Sequence, residues 1–315
     1  MTIKSFLKLV EIQTKVASMV PFLMGSVVAC YRYNKFNWIN FLFMFLSLLC
    51  FDMATTAINN YLDFRKAKKT EGYGYEKHNA IVRYGLKESA VLAVIFTLLG
   101  TAALFGILLY LNTSPVVLLL GIISFAVGIF YTFGPVPISR MPLGEAFSGF
   151  FMGFVITLLS VYIHVTQENI IVLAYQNGIL SLSLSLPEIL SLFLISLPAF
   201  MGISNIMLAN NICDMEDDLE NRRYTLPLYI GREKALILFQ ALYYIAYIDI
   251  VLLLVLNILP LPAVAALLTI IPVNKNISKF KELQTKQDTF VTAIKNFLVI
   301  NISLILLTAS SILFF

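Results

Sequence analysis

Two short stretches of this chain carry carboxylates and amides at a spacing suited to chemistry. Asn59 and Asp63 are four residues apart, and Asn210, Asp214 and Asp218 repeat that step. A spacing of four stacks side chains on one face of a helix, so each stretch predicts a column of oxygen ligands. Facing carboxylate columns repel and call for a cation between them. Hard oxygen donors suit Mg²⁺ or Mn²⁺ better than a softer metal. Mg²⁺ is commonly held by one or two carboxylates together with substrate phosphates, so the pattern points to a phosphorylated ligand. Arg65, Lys66, Lys68, Lys69, Lys77 and Arg83 follow the first column, and Arg222 and Arg223 follow the second. Such side chains can clamp a phosphate during its transfer. The neighbouring Glu216, Asp217, Glu220, Lys68, Lys69 and Glu71 read as a solvated membrane edge.

The elements that position these columns must be membrane helices. The 315 residues are 59% hydrophobic and 13% charged, against about 25% charged in a soluble globular chain. The mean hydropathy is +0.86. A membrane-crossing helix needs roughly 20 mostly apolar residues. Nine stretches qualify, at about 15–33, 37–62, 86–111, 114–133, 144–165, 187–211, 233–256, 259–274 and 289–314. The expected fold is therefore all-α, a bundle of about nine transmembrane helices, with 1–315 as a single domain. Place the N-terminus in the cytoplasm, and all of the 22 Lys and Arg except Arg32 and Lys35 fall on the inner side. That excess sets the orientation of a multi-pass protein of the cell membrane, and dropping one span would turn the later basic loops outward. Spans two and six run the same way, so both columns end at the cytoplasmic edge. The N-terminal stretch lacks a cleavage-site pattern and reads as a lead-in to the first span. The segment 166–186 has no Lys or Arg; it is expected outside, along the membrane surface as a short helix.

Other polar residues are fewer. Three cysteines without a CxxC pair and two histidines give no zinc pattern. Cys213 reads as a small buried residue. Asp52 lies seven positions before Asn59 and shares its face two turns deeper. It either meets a substrate's hydroxyl groups or bonds to a neighbouring helix. Asp249 and His164 read as structural. A transporter is the competing class, because charges inside a bundle also mark ion pathways. Transporters place binding groups near the midplane, however, whereas these columns sit at one edge. Neither a nucleic acid nor a protein partner is expected.

Three stretches carry a resemblance: NNYLDF at 59–64, YTFGPVPISRMPLGE at 131–145 and NNICDMEDDLENRRYTLPLYIG at 210–231. They resemble the UbiA superfamily of intramembrane aromatic prenyltransferases. The Tyr-Thr-x-Gly-Pro stretch with its Gly-Glu, and Arg-x-Thr-Leu-Pro, are most similar to the branch that prenylates 1,4-dihydroxy-2-naphthoate in menaquinone biosynthesis. The resemblance implies a polyprenyl diphosphate donor, an aromatic acceptor and Mg²⁺ on Asp63, Asp214 and Asp218, assisted by Asn59 and Asn210. It implies Arg65, Arg222, Arg223 and Arg140 as diphosphate contacts. Lys15 either reaches the head group or simply follows the positive-inside bias. Tyr131 either steadies an allylic cation with its ring or anchors the helix at the interface. The resemblance also leaves other acceptors open: homogentisate, haem, hydroxybenzoate or a lipid glycerol-phosphate. One departure concerns the first motif, which usually ends in another Asp. Here Ala67 and Lys69 stand at those positions, and Glu71 is the nearest acid that could complete the metal's ligands.

Overall fold

Among the described residues, nine apolar helices build the bundle. The computed structural model describes residues 1–66, 79–132 and 137–312. Eight helices among them are long and apolar enough to cross a membrane. We label the set α1 (Ile12–Tyr33), α2 (Trp38–Lys66), α3 (Glu88–Asn112), α4 (Pro115–Thr132), α5 (Gly144–Tyr162), α6 (Leu186–Cys213), α7 (Arg232–Val255), α8 (Leu261–Glu282) and α9 (Val291–Ile312). Of these, α4 is the shorter apolar helix that completes the nine expected spans. The two polar columns finish α2 and α6, and that end of the bundle is called the acidic end below.

Two packing units explain where the site sits. A large core joins α1, α5, α6, α7, α8 and α9, with Phe22, Tyr162, Phe239, Tyr243, Phe280 and Phe297 fully buried. At the acidic end α2 and α3 form smaller clusters with the N-terminal segment, around Leu9, Ala57, Ile81 and Val91. A short helix, Ile3–Leu9, starts on a Thr2–Ser5 capping box and gives that segment its order. The large core also takes in Met44, Leu109, Val116 and Val117, so α2–α4 join it at the end away from the acidic end, and a cavity-lined seam runs between α2–α4 and α5.

Helix α5 is irregular. Its middle, Gly149–Val155, is a π-helix, a local widening often found at functional sites. Gly149 and Gly153 let α6 approach closely. A Cβ on Gly153 would stand 2.6 Å from the Phe200 Cα, and one on Gly149 would stand 2.1 Å from the Phe200 ring.

Two expectations are corrected. The segment 166–186 is not a surface helix. It forms an antiparallel hairpin of β1 (Ile171–Gln176) and β2 (Ile179–Leu184). Asn177 and Gly178 both have positive φ at its turn, the conformation that favours a two-residue hairpin over a helix. Span eight does not stop near 274. It continues to Glu282 because Val273, Ile277 and Phe280 fall on one buried face, the spacing that keeps an amphipathic helix packed after it leaves the apolar layer.

Candidate active site

The second column survives the end of its helix. Asp214 caps α6, and the short helix Met215–Glu220 follows. The Asp214 amide donates to the Asn210 carbonyl at 3.1 Å, and the Asp218 amide donates to the Asp214 carbonyl at 2.7 Å. Those bonds carry the four-residue repeat across the break, so Asn210, Asp214 and Asp218 remain stacked. The Asn210 Nδ2 donates to Asp214 Oδ2 at 3.4 Å.

Each carboxylate of this column already faces a cation. Lys286 Nζ lies 2.5 Å from Asp214 Oδ2. Arg223 Nε lies 3.4 Å from Asp218 Oδ1, and the Thr225 hydroxyl donates to Asp218 Oδ2 at 3.2 Å. Asp218 is 2% exposed. Burial pushes its carboxyl above the ordinary carboxylate range; Arg223 pulls it back and Asp214 adds to the rise. Arg222 is exposed and has a left-handed backbone, φ 52°. That turn sends the Arg223 amide back to the Asp218 carbonyl at 2.8 Å. So Arg223, not Arg222, meets the column.

The loop after α4 closes one side. The Tyr224 amide donates to the Arg140 carbonyl at 3.1 Å, joining the 138–143 turn to the segment after Asp218. Arg140 itself is exposed, and its recorded role is this backbone bond. Tyr131 donates its hydroxyl to the Gly144 carbonyl at 3.3 Å and accepts from Ser148 at 2.8 Å. Its ring is thus fixed to the start of α5 instead of floating at an interface. Beside it Glu145, 5% exposed, accepts from Asn211 Nδ2 at 2.8 Å. The charges of Glu145 and Arg223 both reach Tyr131.

The first column is placed differently. Asp63 is exposed and Asn59 half-buried at the end of α2. Arg65 pairs with Glu88 of α3 at 3.4 Å, a contact between exposed groups that contributes little. Glu71, with Ala67 and Lys69, lies outside the described residues. Deeper in the bundle, Lys15 and Asp52 meet each other. Lys15 Nζ donates to Asp52 Oδ1 at 2.5 Å, to the Asp52 carbonyl at 3.0 Å and to Thr56 at 2.7 Å, while Ser18 donates to Asp52 Oδ2. All three ammonium donors are used inside the protein, so a head-group contact for Lys15 is not what this conformation provides. Asp52 is the tie between α1 and α2.

The donor set fits a hard divalent ion held jointly with a ligand. It consists of carboxylate and amide oxygens that already attract ammonium and guanidinium groups. Among the described residues no three His, Cys, Asp or Glu come together as a complete metal site. Phosphate oxygens would have to supply the remaining ligands, as Mg²⁺ sites commonly arrange.

An apolar cavity of about 410 Å³ opens along the seam. It is lined by Ser47 and Phe51 of α2, Gly106 of α3, Gly121 and Phe125 of α4, and Ile156 of α5. Phe51 and Phe125 stack at 3.8 Å on its acidic side. Ile107 and Ile122 line it and are also exposed on the bundle's flank, so it opens sideways.

An apolar chamber open to lipid on the flank of the bundle, on the same helix bundle as an acidic column suited to a metal-bound phosphate, fits an intramembrane transferase of lipid diphosphates. The comparisons agree. A model of the UbiA prenyltransferase family matches residues 18–305, and this chain belongs to that family. It is 35% identical over 239 residues to the 1,4-dihydroxy-2-naphthoate octaprenyltransferase of Bacillus subtilis (strain 168), covering 76% of this chain and 70% of that protein. Its fold is that of a UbiA homologue from Aeropyrum pernix K1 in its apo form, with TM-score 0.67, 18% identity and coverage of 93% and 98%. A UbiA homologue from Archaeoglobus fulgidus bound to GPP and Mg²⁺ superposes with TM-score 0.65, 12% identity and coverage of 99% and 100%.

Sequence reasoning missed Lys286, Thr225 and the Glu145–Asn211 bond. Thr225 and Glu145 stood inside motifs already noted. Lys286 gave no local signal, because only the packing of α8 and α9 brings it to α6.

Proposed function

We propose that this prenyltransferase moves a polyprenyl chain from its diphosphate to 1,4-dihydroxy-2-naphthoate, with loss of carbon dioxide, giving demethylmenaquinol, the hydroquinone that a separate oxidation converts to demethylmenaquinone. The observation that carries the acceptor is the 35% identity to the Bacillus subtilis naphthoate enzyme over most of both chains. The acidic end is read as cytoplasmic, since the expected topology puts every Lys and Arg of the sequence but Arg32 and Lys35 on that side.

Asp214, Asp218 and Asn210 would hold Mg²⁺ with the diphosphate, and Asp63 with Asn59 would close the site from α2. Bound there, Mg²⁺ supplies Lewis-acid stabilisation of the departing diphosphate. Arg223 adds a positive charge to the same group. The allylic C–O bond breaks and its electron pair leaves with the diphosphate. The Tyr131 ring, held by Gly144 and Ser148, faces the cation that remains. An acceptor ring carbon forms the new C–C bond, carbon dioxide departs, and its bonding electrons restore the aromatic ring. Tyr131 and the buried Glu145–Asn211 pair shield the cation from water.

The test uses detergent-solubilised protein, a polyprenyl diphosphate, the naphthoate and Mg²⁺, with diphosphate and carbon dioxide both measured. Equal release of both is expected, falling at least about a hundredfold in Asp63→Ala and Asp214→Ala. Diphosphate release that never depends on the naphthoate would remove this acceptor. No release with any acceptor would remove the transferase reading.

A further inference from the structure

Lys286 pairs with a carboxylate of the column that would hold the metal. Its ammonium is 2.5 Å from Asp214 Oδ2, and its charge also reaches the Asp218 carboxyl. It comes from the 283–290 connection between α8 and α9, which contains none of the motifs noted in the sequence. That connection is built to present it. The Thr289 hydroxyl accepts from the Thr285 amide at 2.9 Å, and the Thr289 and Phe290 amides both donate to the Thr285 carbonyl, at 3.1 and 3.0 Å. The Thr285 hydroxyl donates to Asp288 Oδ2 at 3.1 Å, and Gln284 Nε2 caps the carbonyls of Phe280 and Lys281. The backbone around Lys286 is therefore closed on itself, while its side chain stays half exposed and free to pivot on a flexible stem.

We propose that Lys286 is a placeholder for the metal, and that it passes from Asp214 to the diphosphate when the loaded substrate enters. This rests on the diphosphate reading given above. The charges carry the argument. Lys286 and Arg223 balance Asp214 and Asp218, so a divalent ion arriving alone must break the Lys286–Asp214 pair. Among the described residues no three acids group together as a complete metal site, so an ion without phosphate oxygens gains few ligands from breaking it. Arriving with a diphosphate, it brings its own phosphate oxygens. The diphosphate carries more negative charge than one divalent ion removes. A displaced ammonium beside it finds a new acceptor there, as lysine commonly does with phosphate. Lys286 thus both discourages metal binding without substrate and rewards metal binding with it.

The test is a Mn²⁺ titration followed by the electron paramagnetic resonance of the free ion, on full-length protein in detergent. Wild type, Lys286→Met and Lys286→Arg are compared without substrate. They are compared again with a prenyl thiodiphosphate whose bridging sulfur blocks cleavage. Without substrate, Lys286→Met should bind Mn²⁺ about fivefold tighter than wild type, the weight of one partly exposed ion pair. With Mn²⁺ present, it should bind the thiodiphosphate about tenfold more weakly. Lys286→Arg should follow wild type in the metal titration. Equal Mn²⁺ affinity in Lys286→Met and wild type would overturn the placeholder role. Unchanged thiodiphosphate affinity would overturn the handover. Wild type that fails to bind the thiodiphosphate at all would instead count against the prenyl diphosphate reading, a separate result from either.

Discussion

Asp218 shows how a single residue can serve the site at the expense of the fold. It is buried against Thr225 and Arg223, and burial raises its pKa. A raised value means that the folded protein holds this proton more tightly than the unfolded chain does. Stability is therefore lost as pH rises from the ordinary carboxylate range through the raised value, and neutral pH lies above the ordinary one. Asp218→Asn removes the charge and keeps a side chain able to bond Thr225. We expect its transfer activity to fall at least about a hundredfold. Its Tm at pH 7 should hold or rise by about 2 °C, with the difference shrinking as pH is lowered toward 4. A clear drop in Tm at pH 7 would mean that the carboxylate is structural instead. The chemistry of this residue was legible in the sequence, because the spacing of Asn210, Asp214 and Asp218 is a local property. The partner of Asp214 was not. Lys286 reaches it only through the packing of three helices.

Among the elements, the contact between α5 and α6 controls how Glu145 and Asn211 meet. Gly153 faces the Phe200 backbone, while Gly149 faces the Phe200 ring and the Ser204 hydroxyl. The two glycines therefore predict different behaviour. A methyl at 153 must push the helices apart, since a backbone cannot rotate away. A methyl at 149 meets side chains that can partly give. We expect Gly153→Ala to cost about 1–3 kcal/mol and to lower activity, with no recovery when Phe200→Ala is added. Gly149→Ala should be partly rescued by Phe200→Ala. Thermal melts of the four variants check this, and equal rescue at both positions would refute the backbone contact. Sequence reading located the nine helices because length and apolarity are intrinsic to each. It could not see the π-helix of α5, which depends on what packs beside it. Nor did it extend α8 to Glu282, since polar residues at a membrane edge look like loop until a partner buries Val273, Ile277 and Phe280. The hairpin is a different miss. Asn177-Gly178 between two apolar runs was a visible turn signal, outweighed by the expectation of a surface helix.

For the molecule as a whole, the seam between α2–α4 and α5 joins the chemistry to the lipid. Phe51 lies twelve residues before Asp63 on α2, which is about 18 Å along the helix. A donor anchored by its diphosphate at the acidic end reaches the Phe51–Phe125 stack only with a tail of several isoprene units. Beyond the stack lies the 410 Å³ cavity, which only longer tails enter. Gly121 borders that cavity, and a Cβ there would meet nothing within 4 Å. Gly121→Phe should therefore fill the space without strain on the fold. The expected outcome is selective. kcat/KM should fall about tenfold or more for long polyprenyl diphosphates, since the ring displaces tail contacts worth over 1.4 kcal/mol. It should stay near wild type for a donor of one or two isoprene units, whose tail ends short of the stack. A uniform loss across donors would place the tail elsewhere. A loss confined to short donors would reverse the direction assigned to the chain between α2 and α4.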